Sequence, residues 1–160
     1  MAGEPEDPRK KLAFEESGRA LAHQSGVLDD LRSRTGILLT AASLAATFVG
    51  SRALDGGFSA WTRVGLGLFL MSGAFCLGVL WPRGNWGFTF NANTILDGYV
   101  RYPDPATIDR MHVEFAEINQ ENWETNKEKL KWLFWSFRLG VLALILQVPC
   151  WLMAIGTANG

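Results

Sequence analysis

The sequence has little that would support catalysis, metal binding or nucleic-acid recognition. Its 160 residues include two cysteines and two histidines. Two cysteines make no disulfide framework, and the short paired ligand spacings of a structural zinc site are absent. The 15 basic and 16 acidic residues nearly balance, so the basic surface needed to bind a nucleic-acid polymer is missing. No phosphate-binding Gly-rich loop, Ser-His-Asp set or paired catalytic carboxylates occur. We therefore expect a protein that is not an enzyme and has no catalytic residue, cofactor or metal ion.

Charge is also absent from three long windows of the sequence. Thr35–Ser51, Val64–Trp81 and Leu139–Gly160 hold 57 residues and none of the 31 charges. Such segregation is unlike a soluble core, in which charged and apolar faces alternate every few residues. About 20 apolar residues are enough to cross a bilayer as a helix. We expect an all-α integral membrane protein with three transmembrane helices, at 35–52, 64–82 and 139–157.

The basic residues predict how these spans are oriented. Six lie before the first span and seven between the second and third, whereas the first loop has only Arg52 and Arg63 and the C-terminal tail has none. Cytoplasmic loops of membrane proteins are enriched in lysine and arginine. We expect a multi-pass protein of the plasma membrane, with its N-terminus in the cytoplasm and its C-terminus outside.

The charged remainder predicts long cytoplasmic helices. Residues 1–8 are rich in proline and acid and are expected to be disordered, and a helix is expected over 9–34. Turn residues make 83–104 a cytoplasmic or interfacial loop. Asp104 and Pro105 suit a helix start, and a helix over 105–138 is expected to continue into the third span. Its glutamates, from Glu114 to Glu128, form one charged stripe.

The most informative residues inside the spans are small or polar. Thr40, Ser43, Thr47 and Ser51 recur at spacings of three and four on the first span, and Gln147 is the one strongly polar side chain in any span. These five residues have two interpretations. They could pack helices together through close contacts and hydrogen bonds, or they could line a water-accessible path at the axis of an oligomer.

The order of elements resembles a group of small bacterial membrane proteins. A cytoplasmic helix ends in LDDLRSRTGILLTAASLAATFVG, a second span and a WGF loop follow, and NKEKLKWLFWSF leads into the last span. This arrangement is similar to SLATT-type and Pycsar-type transmembrane effectors of antiphage defence. The resemblance implies an antiviral effector that impairs the membrane when triggered, and it assigns no site residues.

Two functions are therefore expected. The first is an oligomeric, pore-type membrane protein controlled through its cytoplasmic helices. The second is an accessory or scaffold membrane subunit that docks a cytoplasmic protein through the 105–138 helix. The expected partners are the lipid bilayer, further copies of the same chain and such a protein, with no nucleic acid.

Overall fold

A computed structural model describes residues 7–55, 57–82, 84–88 and 105–158. All regular structure in these ranges is helical, which confirms the all-α fold class. Most of the predicted N-terminal disorder and most of the 83–104 loop lie outside the described residues. The helices are α1 (Pro8–Ala45), a π-helical turn (Ala46–Gly50), α2 (Ser51–Asp55), α3 (Ala60–Leu80) and α4 (Pro105–Ala158).

Helix α1 begins at a proline and continues for 38 residues. The Asp7 side chain accepts a hydrogen bond from the backbone N–H of Arg9 at 2.9 Å, which caps the helix, and Pro8 suits its first position because no N–H is needed there. Buried residues then recur every seven positions, at Leu21, Leu28, Thr35 and Ala42. This seven-residue spacing is typical of helices that pack along their length as a coiled coil.

The regular α-helix that contains the start of the first predicted span ends at Ala45. The π-helical turn Ala46–Gly50 follows directly. A π turn contains one more residue than an α turn, and the buried position after Ala42 is accordingly Gly50, eight residues later. The first predicted span, 35–52, is therefore not one regular α-helix.

Helix α3 has defined signals at both ends. Gly57 adopts a φ of +90°, a conformation open to glycine because it has no Cβ. Ser59 Oγ then accepts a hydrogen bond from Thr62 N–H at 3.2 Å and caps the helix. The helix ends at Leu80. The next residue, Trp81, precedes Pro82, and a residue before a proline disfavours the helical conformation.

Helix α4 has 54 residues and is about 80 Å long at 1.5 Å per residue. It continues through Pro149. Its buried residues also recur every seven positions, at His112, Asn119, Asn126, Leu133, Gly140, Gln147 and Ala154. Of the described helices, α3 over Ala60–Leu80 and α4 over Thr107–Thr157 are long and apolar enough to cross a membrane by length and composition. Two such helices weakly suggest membrane association.

The chain divides into two compact units. Unit 1 combines residues 1–28 with 83–130, and unit 2 combines 29–82 with 131–160. All three charge-free windows of the sequence fall in unit 2. In unit 1, hydrogen bonds between α1 and α4 join residues 99 to 102 positions apart along the chain. Because this offset stays nearly constant, the two helices run parallel.

Candidate functional site

The hydroxyl residues predicted on the first span lie on the exposed side of unit 2. Thr40, Ser43, Thr47 and Ser51 are all exposed, whereas Thr35 and Ala42 occupy the buried face of α1. Each of the four hydroxyls donates to a carbonyl of its own helical turn, over 2.9 to 3.3 Å. We call these four residues the hydroxyl stripe.

Gln147 lies in a different environment from the hydroxyl stripe. Its side chain is 1% exposed, and its Oε1 has no hydrogen-bond partner among the described residues. The seven-residue repeat of α4 places Gly140 before it and Ala154 after it on the same face. An amide oxygen that loses water without gaining a partner lowers stability. Because Gln147 is buried and the hydroxyl stripe is exposed, the structure does not place them on one common surface.

Helices α3 and α4 approach each other closely at Gly140. The Ser72 hydroxyl donates to the backbone oxygen of Gly140 at 2.9 Å. A Cβ at position 140 would lie 3.4 Å from Phe75 Cβ and 3.6 Å from Cys76 Sγ. Small residues and hydroxyls at such a contact are typical of helix pairs in membranes, where lipid supplies no hydrophobic drive for association.

Trp151 is the large side chain at the other close contact of unit 2, and sequence reasoning did not single it out. Its indole is buried between two glycines. A Cβ on Gly50 would meet the ring at 3.5 Å, and a Cβ on Gly65 would lie 2.4 Å from Cδ1 and 2.5 Å from Nε1. A cavity of about 300 Å³ adjoins the ring, lined in part by Leu66 and Phe69. Gly65 must therefore lack a Cβ for the indole to fit, whereas a Cβ on Gly50 would make ordinary van der Waals contact with the ring.

Polar side chains occupy the buried face of unit 1. Asn119 Nδ2 donates to Ser17 Oγ at 2.8 Å, and Gln24 Nε2 donates to the Trp123 carbonyl at 2.9 Å. Buried amides at core positions of a parallel helix pair favour one register, because a shifted register leaves them unpaired. The sequence signal for this face was the run of asparagines along the apolar stripe of α4.

The segment Gly84–Phe88 packs against α4 in unit 1. The backbone oxygen of Gly87 accepts from Asn126 Nδ2 at 3.1 Å, and Lys129 Nζ donates to the Asn85 oxygen at 2.6 Å. Trp86 and Phe88 stack with ring centroids 5.5 Å apart and both are half-buried. This part of the predicted 83–104 loop is therefore bound to α4 by hydrogen bonds.

One ion pair joins the first turns of α1 and α4. Lys10 Nζ lies 2.7 Å from Asp109 Oδ2, and the Asp7 N–H donates to Asp109 Oδ1 at 3.0 Å. These bonds favour the carboxylate and lower the pKa of Asp109. His112 stacks on Phe14 with centroids 5.5 Å apart. Among the residues that the structure describes, no three His, Cys, Asp or Glu side chains come close enough to hold a metal ion.

Comparison with known proteins identifies no relative. No protein-family model matches the sequence, and neither a curated protein nor a solved structure is similar to it. The resemblance to SLATT-type and Pycsar-type effectors therefore stays a hypothesis.

Proposed function

We propose that this chain is a non-enzymatic plasma-membrane protein that crosses the bilayer three times and assembles as a homo-oligomer around a water-accessible path. The N-terminus and unit 1 lie in the cytoplasm, the C-terminus lies outside, and unit 2 lies in the membrane. The hydroxyl stripe of each copy faces the path. Unit 1 controls opening.

The membrane arrangement is supported by the length and composition of the helices. Trp61 and Trp81, at the two ends of α3, are 20 residues apart, which is about 30 Å along a helix and matches the hydrocarbon thickness of a bilayer. Both are exposed, as expected for indoles at the two membrane surfaces. The helical path of α1 continues through the π turn into α2, so it is long enough for a further crossing.

The observation that carries the proposal is where the exposed hydroxyls of unit 2 are found. In α3 the hydroxyls of Thr62 and Ser72 are buried, and the exposed residues include bulky apolar side chains such as Leu70. The hydroxyl stripe is exposed from Thr40 in α1, through the π turn, to Ser51 in α2, next to exposed Leu44. A weakly polar face along the stripe, and exposed faces of α3 and α4 that are mainly apolar apart from Thr157 near the end of α4, divide the surface of unit 2 into a side suited to a wet path and sides suited to lipid.

Cysteine accessibility tests this assignment. In a background with Cys76→Ala and Cys150→Ala, single cysteines replace each residue of the hydroxyl stripe, and ion flux is measured in liposomes before and after a charged thiol reagent. We expect block at all four positions, because the four residues follow one another on successive turns of the face that lines the path. The matched controls are Leu70→Cys and Leu152→Cys, which are exposed on α3 and α4 and should stay insensitive. Flux without block at the stripe would place the path elsewhere, and liposomes without flux would refute conduction.

The effector role has its own test. Expression in bacteria should be toxic and should rapidly collapse the membrane potential, as read with a potential-sensitive dye. A chain that never permeabilises cells, even with its neighbouring genes present, would refute this role.

An accessory subunit that docks a protein through α4 is the second candidate. The favouring observation is an open groove in unit 1 beside the acidic stripe of α4. A cytoplasmic protein that purifies with the chain in fixed proportion would support it.

A further inference from the structure

A groove in unit 1 lies between the first turns of α1 and residues 113–124 of α4. It is open and holds about 610 Å³. Its floor is apolar and is formed by Ala13, Val113 and Ala116, with Ala13 and Val113 exposed. The groove exists because two alanines face it, and their short side chains leave the space between the helices unfilled.

One wall of the groove is acidic. Glu117, Glu121 and Glu124 follow one another at spacings of four and three on α4, so they share a helix face. Glu117 and Glu121 are exposed and form no ion pair with any residue in the described ranges. Glu124 accepts a hydrogen bond from Gln120 at 3.1 Å.

The opposite wall does not balance this charge. It presents Arg9 and Lys10, and the Lys10 ammonium is bound to Asp109 at 2.7 Å. Three carboxylates beside an apolar floor form a surface that is complementary to apolar and cationic side chains together.

We propose that this groove binds an amphipathic helix of a cytoplasmic protein. Its apolar side chains would lie on Ala13, Val113 and Ala116, and its lysines or arginines, at positions i, i+4 and i+7, would face the acidic wall. A helix suits this groove because it can lie along the two helices that form the walls, with its apolar face on the apolar floor. This inference rests on the second candidate function and names the chemistry of its partner.

The probe is a synthetic helical peptide with leucines on one face and lysines at i, i+4 and i+7 on the adjoining face. Its binding to the full chain in nanodiscs of zwitterionic lipid is measured by calorimetry. Glu117→Lys with Glu121→Lys should weaken binding at least about tenfold, because the new charges repel the peptide. The control is Glu15→Lys with Glu16→Lys, an equal change of charge in unit 1 outside the groove, which should leave the affinity within about threefold.

A second variant tests the floor without changing charge. Ala13→Phe places a ring in the groove at an exposed position, and it should abolish peptide binding while the circular dichroism spectrum stays helical. Wild-type affinity in both groove variants would overturn the proposal, and so would equal weakening by the control pair, since bulk charge would then explain binding. Displacement of the peptide by a second copy of the chain would assign the groove to self-association. Ion flux without peptide is measured separately, so these failures are distinguishable from a failure of the pore proposal.

Discussion

Gly65→Ala should destabilise unit 2 because Trp151 occupies the space that the new methyl group needs. An ideal Cβ at position 65 lies 2.4 Å from Trp151 Cδ1 and 2.5 Å from Nε1, well inside van der Waals contact. Either the indole must leave its rotamer or α3 must shift. Overpacking of this kind costs about 1 to 3 kcal/mol, and we expect a loss of that size in the free energy of unfolding.

Gly67→Ala is the matched control in the same helix. A Cβ at position 67 meets no atom within 4 Å, so the substitution adds no clash, and alanine is the better helix former by up to about 1 kcal/mol. We therefore expect Gly67→Ala to leave stability unchanged or raise it. The measurement is SDS-induced unfolding in mixed micelles, followed by helical circular dichroism.

A double-mutant cycle isolates the contact itself. In a Trp151→Leu background the ring is absent, so Gly65→Ala should lose most of its cost, giving a coupling energy of about 0.5 to 3 kcal/mol. Equal destabilisation by Gly65→Ala in both backgrounds would refute the reasoning, as would equal effects of Gly65→Ala and Gly67→Ala.

Three further changes have defined outcomes. Because the pair with Lys10 lowers the pKa of Asp109, its contribution to stability is fully present above the ordinary pKa of 3.8 and is lost as the pH falls through the lowered pKa. Asp109→Asn should therefore reduce the loss of stability at acid pH in a titration of the free energy of unfolding. An unchanged acid loss would contradict the pairing. Gln147→Leu removes a buried amide oxygen without a described partner and should raise the free energy of unfolding by about 1 kcal/mol; an equal loss would show that the amide is bonded. Ser72→Ala removes the bond to Gly140 and should cost about 0.5 to 1.5 kcal/mol in the same unfolding assay, and no change would contradict the observed contact.

Much of the fold was predictable because it depends on local signals. Pro105 suits the first position of a helix, and the last helix begins there, since a helix start depends only on neighbouring backbone groups. The charge-free windows identify apolar helices by composition alone. The π-helical turn was not predictable from any residue in Ala46–Gly50, because a π turn differs from an α turn by one residue and depends on what packs against it.

The candidate site was only partly predictable. Sequence spacing placed the hydroxyl stripe on one face of the first predicted span, and the structure leaves these four residues exposed. Spacing could not distinguish an exposed stripe from a packed one, because small and hydroxyl residues at helical spacing are also what a close contact between two helices requires. The contact of Trp151 with Gly65 was likewise hidden, since the two residues are far apart in sequence and no local pattern links them.

The sequence by itself determined that the fold is helical and that three long windows carry no charge, because helix signals and composition are local properties of the chain. Only the tertiary structure decided which faces meet. It buries Thr35 and exposes Thr40, and it places Trp151 against Gly50 and Gly65. The physical reason is that composition sets the cost of contact with water for a whole helix, whereas the choice between faces depends on the shape of side chains that are distant in sequence.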